Sequence, residues 1–225
     1  MPASAALSES APPAPRRSRR KEARPGELLD AALELFVSKG YAATKVEEVA
    51  RLAGVSKGTL FLYFPSKQEL FKAVVRHTLA DRFAEWATEL ETFQDNTAAL
   101  LHYCYEVWWQ RIGSTKVCGL GHLVMAEAHN FPEIAAFYHQ EVVLPGNRLI
   151  ECILQRGMDR GELRPIDLSY GTTLVLAPLV FCATAKSSGG LCLPDPQFDV
   201  PAFLRLQADT LARGLAPAAA GGANP

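Results

Sequence analysis

A cation, a position without a side chain and two hydroxyl groups form the outward set of a short predicted helix: Lys57, Gly58, Thr59 and Tyr63. The opposite side carries Leu60 and Phe64, which are four residues apart and therefore share one face of a helix. Side-chain donors, hydroxyls and bare backbone can contact the phosphates and base edges of a nucleic acid. This spacing predicts a helix that packs against the protein core with one face and contacts a nucleic acid with the other.

A second short helix precedes this one, and the two form a predicted helix-turn-helix. Its inner face is small and apolar: Val49, Ala50 and Ala53. Gly54 follows, at a point where a turn requires a residue that tolerates positive φ. Ser56 can then cap the next helix. The alternative interpretation is a surface helical hairpin in some other all-α protein.

Helices are also predicted on both sides of this pair. Residues 26–39 carry an apolar stripe, and Gly40 is placed to end that helix. Two capping boxes, Thr44 with Glu47 and Ser66 with Glu69, predict helix starts at Thr44 and near Lys67. Thr44 and Lys67 are therefore candidates for phosphate contact. For Thr44 capping alone is the alternative, and for Lys67 a solvated lysine.

The segment from about Leu29 to Val75 resembles the N-terminal domain of the TetR/AcrR family of transcriptional regulators. The matching motifs are F-x-x-x-G-Y from Phe36, A-x-x-A-G-V-S-K-G-T-L from Ala50, and Y-F-x-S-K-x-x-L from Tyr63. The resemblance implies an all-α protein of about nine helices, with a three-helix DNA-binding domain followed by a larger ligand-binding and dimerisation domain. It implies these DNA contacts: Thr44, Ser56, Lys57, Gly58, Thr59, Tyr63 and Lys67. Phe61 is left out because the family most often has tyrosine there.

Charge is distributed unevenly along the 225 residues. Residues 1–75 hold 12 Lys and Arg against 8 Asp and Glu, whereas residues 76–225 hold 11 against 16. A basic beginning beside an acidic remainder suits DNA contact at one end of the molecule. We expect the DNA-binding domain at residues 25–72 and the second domain at residues 73–215.

Both ends of the chain are predicted to be disordered, at residues 1–24 and 216–225. The first segment is rich in Ala, Pro and Ser and carries a basic cluster: Arg16, Arg17, Arg19, Arg20, Lys21 and Arg24. We expect this arm to follow DNA, in the manner of the basic arms of other helix-turn-helix proteins. The alternative is a solubilising tail.

Five cysteines without a C-x-x-C pair favour a reducing cytoplasm over a disulfide scaffold or zinc knuckle. No run of 18 consecutive apolar residues appears, so no membrane span is expected. His122, Met125 and His129 share a helical face, but the two histidines are about two turns apart, too far to share one ion easily. No cofactor or metal is predicted, and redox or metal sensing through Cys and His remains an alternative.

The last two predicted helices carry apolar residues on more than one face. Between Leu174 and Phe181 the apolar positions are too many for one small core: Leu174, Leu176, Leu179, Val180 and Phe181. A second copy of the chain is the simplest partner, so a homodimer with a four-helix interface is predicted. Substitution of Leu174 or Leu179 by Glu is expected to give monomers.

Aromatic and polar residues in the middle of the chain are candidates for the lining of a ligand cavity. The predicted set is Trp86, Tyr103, Trp108, His122, Met125, Phe137 and Tyr170, with Trp109 beside them. For each of these residues ordinary core packing is the alternative. The family's C-terminal domains are known for divergent small-molecule pockets, so the resemblance implies a pocket and leaves its ligand open.

Two other classes of protein fit less well. The motifs of a nucleophile elbow, a P-loop, a dinucleotide fingerprint and a zincin are all missing, which argues against an enzyme. A constitutive architectural DNA protein would not need a large acidic second domain. The sequence therefore predicts a cytoplasmic, dimeric regulator of a near-palindromic operator. The resemblance implies a repressor that a small hydrophobic effector releases from that operator, with an activator as the alternative.

Overall fold

A computed structural model describes residues 25–218, and these residues form helices and connecting turns without β-strands. The N-terminal part contains α1 (Pro25–Lys39), α2 (Val46–Leu52), α3 (Lys57–Tyr63) and α4 (Lys67–Thr78). The remainder contains α5 (Phe83–Thr92), α6 (Thr97–Trp108), α7 (Gly119–Glu127), α8 (Pro132–Tyr138), α9 (Leu144–Asp159), α10 (Leu168–Ser187) and α11 (Val200–Leu215). The all-α class is confirmed.

Helices α2 and α3 form the helix-turn-helix that the sequence predicts. Gly54 lies in the turn with φ of 70°, and the Ser56 side chain caps α3. Gly40 likewise ends α1 with φ of 86°. Both glycines occupy the left-handed region, which disfavours residues with a Cβ atom.

Two of the predicted helix boundaries are wrong. Helix α2 begins at Val46, after an N-cap residue, Lys45, whose side chain makes no capping hydrogen bond. The predicted fourth helix, residues 67–91, is interrupted at Leu79, where φ of −127° and ψ of −59° leave the helical region. A short 3-10 turn, Ala80–Arg82, then leads into α5.

The C-terminal part contains two further interruptions. Helix α6 continues into a π-helical turn, Trp109–Gly113, and a second such turn, His139–Val143, separates α8 from α9. The sequence places this second break near Pro145, but Pro145 lies in the first turn of α9, where proline is tolerated. When α4 with α5, and α8 with α9, are each counted as one interrupted helix, the described residues hold the nine helices expected.

The buried side chains form two clusters. The first joins α1–α4 to α7 and α8, and it includes Phe36, Phe71, Leu120 and Ile134. The second joins α6, α9, α10 and α11 around Tyr105. The first cluster therefore crosses the boundary proposed at residue 72, so the helix-turn-helix shares its core with α7 and α8.

Helix α10 is apolar on its buried and on its exposed side. Val175 and Leu179 are buried, whereas Leu174 on the other side is 51% exposed. Among residues 25–218, α10 alone is long and apolar enough to cross a membrane. Its mean hydropathy over a window of 18 residues is 1.6. Such a helix on its own is weak support for a membrane span, because core helices of soluble proteins share this composition.

The predictions for the ends of the chain fall largely outside the described residues. The basic arm at residues 1–24 lies outside them entirely. The tail predicted at residues 216–225 is described only for residues 216–218, which follow the end of α11 without regular structure.

Candidate functional site

Helix α3 is held at its start and at its inner face. The Thr59 backbone N–H donates to the Ser56 Oγ over 3.0 Å, and the two hydroxyl oxygens lie 2.8 Å apart. Leu60 is fully buried against the core of α1–α4. The cap fixes where the helix begins, and Leu60 fixes which face points outward.

Lys57 lies on the exposed side of α3. Its Nζ is paired with the Glu47 carboxylate of α2 at 2.5 Å, and this hydrogen bond lowers the pKa of Glu47. Both side chains are more than half exposed. Because exposed ion pairs contribute little to stability, Lys57 can exchange this carboxylate for a phosphate at small cost.

Gly58 lies next to Lys57 and is open to solvent. A Cβ atom built at this position would meet only the Ser56 Oγ, at 3.7 Å, which is ordinary van der Waals contact. The fold of the free protein therefore has room for a side chain at residue 58, and the bare backbone allows close approach of another molecule. Tyr63 is also exposed, at the end of the same helix.

Thr44 does not have the role predicted for it. Its side chain is 2% exposed, and its hydroxyl lies 2.7 Å from the Gly40 carbonyl oxygen and 3.0 Å from the Leu35 carbonyl oxygen. The hydroxyl donates to the end of α1 and caps neither α2 nor an outward surface. The expected side-chain contact of Thr44 with phosphate is thus contradicted by its burial.

Lys67 is also directed inward. Its Nζ donates to the backbone carbonyl oxygens of Tyr41, Ala42 and Thr44, at 2.9, 3.1 and 3.2 Å. An ammonium group has three hydrogens, so these bonds use all of its donors. Burial lowers the pKa of Lys67, and the Nζ lies 4.6 Å from the Tyr41 ring centroid. In this arrangement Lys67 holds the α1–α2 loop against α4, and its contact with phosphate stays a prediction.

A cavity of about 510 Å³ lies inside the C-terminal part. Its walls come from α5, α6, α7, α8, α9 and α10 and from the turns beside them. Five of the seven residues predicted to line a ligand site do so: Trp86, Tyr103, Trp108, His122 and Met125. The volume falls within the range of sites for small molecules.

Phe137 and Tyr170 do not line this cavity. The Phe137 ring lies beneath two cations of α4, with the Lys72 Nζ at 5.6 Å and the Arg76 Cζ at 5.0 Å from its centroid. Tyr170 is in the first turn of α10 and is 75% exposed. Trp109, named beside the predicted set, is also outside the lining.

The cavity wall is almost entirely apolar. Its one formally charged residue is Glu89, whose carboxylate accepts hydrogen bonds from Arg111 at 2.9 Å and from the Tyr103 hydroxyl at 3.0 Å. Burial raises the pKa of Tyr138, another wall residue, to about 12, so that its hydroxyl stays protonated at neutral pH. The wall therefore offers a bound molecule apolar surface and a few neutral polar groups.

Helix α7 connects the cavity wall to the loop that follows α1. Helix α7 contributes His122 and Met125 to the cavity wall, and at its last residue the Glu127 Oε1 accepts a hydrogen bond from the Ala42 N–H at 3.0 Å. The Tyr41 ring packs edge-on against Phe131, with centroids 4.8 Å apart. One helix therefore touches both the cavity and the DNA-proximal domain.

Several of these residues could not be identified from sequence. Glu89 and Glu127 resemble any solvated glutamate on an amphipathic helix, and only their partners distinguish them. Leu62 could have been identified from sequence as an exposed apolar residue, because a position two residues after the inward-facing Leu60 falls on the outward side of α3.

The environments of Cys104 and Cys182 do not suit redox sensing, whereas Cys152 and Cys192 are exposed. Burial raises the pKa of Cys104 to about 12 and that of Cys182 to about 11, which disfavours the reactive thiolates. Within residues 25–218, no cluster of three or more His, Cys, Asp or Glu side chains is arranged to hold a metal ion.

Two family models match this chain. The first describes bacterial regulatory proteins of the tetR family and matches residues 28–74, which is α1–α4. The second describes a tetracyclin repressor-like C-terminal domain and matches residues 105–188, from the end of α6 through α10. The two matches cover the helix-turn-helix and most of the cavity wall.

Curated relatives match parts of the chain. The HTH-type transcriptional regulator RutR of Escherichia coli (strain K12) is 41% identical over 85 residues, which is 38% of this chain and 38% of RutR. The HTH-type transcriptional activator FasR of Mycolicibacterium smegmatis is 40% identical over 80 residues, 36% of either chain. These alignments span little more than a third of each relative.

Solved structures match over a greater length. The transcriptional regulator FadR from Bacillus subtilis, solved in complex with stearoyl-CoA, has a TM-score of 0.67 and 17% identity, and the match covers 85% of this chain and all of that one. At this identity the likeness establishes the fold. The two family models together match more than half of the 225 residues, and they show that the chain belongs to the TetR family of bacterial regulatory proteins.

Proposed function

We propose that this protein is a homodimeric transcriptional repressor that binds a near-palindromic operator and leaves it when a small apolar effector occupies the cavity. The observation that carries the proposal is helix α7. It supplies part of the wall of an apolar cavity and ends in a hydrogen bond to the loop that precedes the helix-turn-helix. A protein that only bound DNA would need no such cavity.

The DNA half of the proposal rests on the outward side of α3. Ser56, Lys57, Gly58, Thr59 and Tyr63 are the contacts proposed there. Lys57 and Tyr63 are exposed, and Gly58 leaves the backbone accessible. Lys67 is proposed to act indirectly, by holding the α1–α2 loop in place. We propose the same for Thr44, whose hydroxyl is bonded to the end of α1.

The effector half rests on the chemistry of the cavity wall. Because the only charged wall residue is an acid that is already paired, the wall offers no cation to an anionic group. An uncharged apolar molecule, or the apolar chain of a larger molecule whose charged part remains outside, fits this wall. FadR from Bacillus subtilis was solved with stearoyl-CoA, a ligand of the second kind.

The dimer is proposed to form through α10. One side of this helix is exposed along its length, and its spacing of three and four residues forms a stripe: Tyr170, Leu174, Ala177, Val180 and Phe181. Leu206 of α11 is exposed as well. Large exposed apolar surfaces on one side of a molecule are typical of interfaces. Leu179, expected from sequence to be an interface residue, is instead buried within its own subunit.

The proposed mechanism is a shift between two arrangements of the dimer. Two α3 helices must lie about one duplex turn apart, roughly 34–36 Å, to enter successive major grooves. An effector that binds better to a different position of α7 would move the α1–α2 loop and change this separation. About 1.4 kcal/mol of differential affinity weakens operator binding tenfold.

The test begins with DNA fragments selected from genomic DNA by the purified full-length protein. We expect footprinting to show a protected near-palindrome. Neutral Nile red and stearoyl-CoA should then be titrated into the complex, and an effector that fits the cavity should raise the melting temperature of the free protein and release the DNA. If no fragment is enriched at low ionic strength, the proposal is wrong.

Activation is the second candidate, because the relative FasR is named as an activator. The match to this relative spans 36% of each chain and does not decide whether bound regulator raises or lowers transcription. A reporter gene placed behind the selected operator distinguishes the two. Repression predicts that transcription increases when the regulator is deleted, and activation predicts a decrease.

A further inference from the structure

The centre of the outward side of α3 is apolar. Leu60 is fully buried, and at 100° per residue the positions farthest from it around the helix are Gly58 and Leu62. The Leu62 side chain is 85% exposed, and Phe61 beside it is also exposed. Since Gly58 has no side chain, Leu62 is the most prominent group at the middle of this face.

The polar groups of α3 lie to the sides of Leu62. The Lys57 ammonium is paired with Glu47, an exposed pair that a phosphate can replace, and the Thr59 hydroxyl lies 2.8 Å from the Ser56 oxygen. The Tyr63 hydroxyl, at the edge of the face, has no hydrogen-bond partner among the described residues. The middle of this face therefore presents the apolar side chains of Leu62 and Phe61 and no polar side chain.

We propose that Leu62, with Phe61 beside it, reads thymine through the C5-methyl group in the major groove. That methyl group is the one apolar feature of the base-pair edges exposed in this groove, and leucine complements it. The inference rests on the proposed function, because it requires α3 to lie in the groove. It names Leu62 as a specificity-determining residue, a role distinct from that of the groups that contact phosphate.

The test uses an operator selected with the full-length wild-type protein. Each thymine of one half-site is replaced in turn by deoxyuridine, which removes the methyl group and leaves the base pairing intact. Because burial of one methyl-sized group contributes about 0.8 kcal/mol, we expect binding to weaken about fourfold at one or two positions. At those positions the Leu62→Ala protein should bind both duplexes with equal affinity.

The matched control is Leu52→Ala, which removes an exposed leucine of α2 in the same domain. This variant should keep the wild-type response to deoxyuridine. The titrations are made at low ionic strength, where phosphate contacts keep Leu62→Ala on the DNA. Circular dichroism should show unchanged helicity for both variants, since neither side chain is buried.

Two results would overturn the inference while the proposed function stands. Wild-type protein could bind every deoxyuridine duplex as it binds the unmodified operator, in which case no methyl group is read. Alternatively, Leu62→Ala could retain the full loss at the sensitive thymine, in which case another residue reads it. Failure to bind any unmodified operator would instead overturn the proposed function together with this inference.

Discussion

Gly58 lies in the first turn of α3, where the free protein has room for a larger side chain. Glycine in a helix costs about 0.5–1 kcal/mol relative to alanine. We therefore expect Gly58→Ala to increase the free energy of unfolding by about that amount in guanidinium titrations. The same methyl group should obstruct approach to DNA and lower operator affinity at least tenfold in a mobility-shift assay.

Gly26→Ala is the control for the two opposite effects that we expect of Gly58→Ala, higher stability and lower operator affinity. Gly26 lies in the first turn of α1, and a Cβ atom built there would have nothing within 4 Å. Gly26→Ala should stabilise the protein to a similar extent and leave operator affinity unchanged. Equal operator affinity for both variants would show that residue 58 does not approach DNA.

Lys57 and Lys67 are expected to differ in how they affect the salt dependence of binding. If Lys57 contacts phosphate, Lys57→Ala should reduce the slope of log K against log salt by about 0.9 per subunit. Lys67→Ala should leave the slope unchanged, because its ammonium bonds to three backbone carbonyls. The loss of those bonds should cost about 1–3 kcal/mol of stability, measured by denaturant titration.

An equal fall in slope for the two variants would contradict this distinction. It would mean that Lys67 leaves the loop and reaches the duplex in the complex. Lys45→Ala is a further comparison. Lys45 is the exposed N-cap residue of α2, so this variant loses a cation but leaves the α1–α2 loop undisturbed.

For single residues, the sequence predicts a structural role correctly where that role depends on near neighbours along the chain. Ser56 caps the helix one residue later, and Gly54 forms the turn with positive φ, as expected. The hydrogen-bond partners of Thr44 and Lys67 could not be predicted, because they lie elsewhere, in α1 and in the α1–α2 loop. Neither the length of a side chain nor its charge tells whether it faces solvent or a row of backbone carbonyls.

Helix α10 gives the clearest prediction at the level of an element. Leu174 is half exposed on the proposed dimer face, so Leu174→Glu should place a carboxylate in the interface without disturbing the subunit core. We expect a monomer of unchanged helicity by light scattering and circular dichroism. Operator affinity should fall sharply because the two α3 helices are no longer joined.

Leu52→Glu is the matched control for assembly. Leu52 is exposed to a similar degree but lies on α2, outside the proposed interface. This variant should remain dimeric. An intact dimer for Leu174→Glu would move the interface to another surface, whereas Leu179→Glu cannot decide the question because that residue is buried within its own subunit.

Most helices could be located from apolar periodicity, but the breaks within them could not. The interruption at Leu79 carries neither glycine nor proline, and the π-helical turn before α9 precedes Pro145. Both breaks adjust helices to the packing around the cavity, since Leu79 and His139 line it. Such breaks depend on tertiary contacts, which a local sequence pattern does not contain.

At the scale of the whole molecule, the bond between Glu127 and Ala42 should matter more for regulation than for DNA binding itself. Glu127→Ala removes the acceptor for the Ala42 N–H at the end of α7. We expect binding of operator without effector to change less than threefold. The factor by which a cavity ligand weakens operator binding should fall about fivefold or more, consistent with a coupling energy of roughly 1 kcal/mol.

Glu91→Ala serves as the comparison, because Glu91 is an exposed acid of α5 outside the cavity wall. Its effector response should match that of the wild type. Equal effector responses for Glu127→Ala and the wild type would show that the signal leaves the cavity by another route.

The resemblance of residues 29–75 to a known family made the architecture predictable, and five of the seven expected wall residues lie at the cavity. Phe137 and Tyr170 were assigned to the cavity wall, but neither lines it. An aromatic residue on an amphipathic helix shows the same sequence pattern whether it lines a cavity, packs beneath a cation or faces solvent. The shared core of α1–α4 with α7 and α8 could not be predicted either, since it depends on contacts distant in sequence.

This shared core limits how such a protein can be recombined. Phe137 packs beneath Lys72 and Arg76, and Val37 would be struck at 2.5 Å by any Cβ atom added at Gly119. A chimaera cut after α4 would expose both contact surfaces and combine unmatched halves. Operator preference should therefore be exchanged between family members by substituting only the exposed positions of α3. The other N-terminal helices should remain those of the recipient protein.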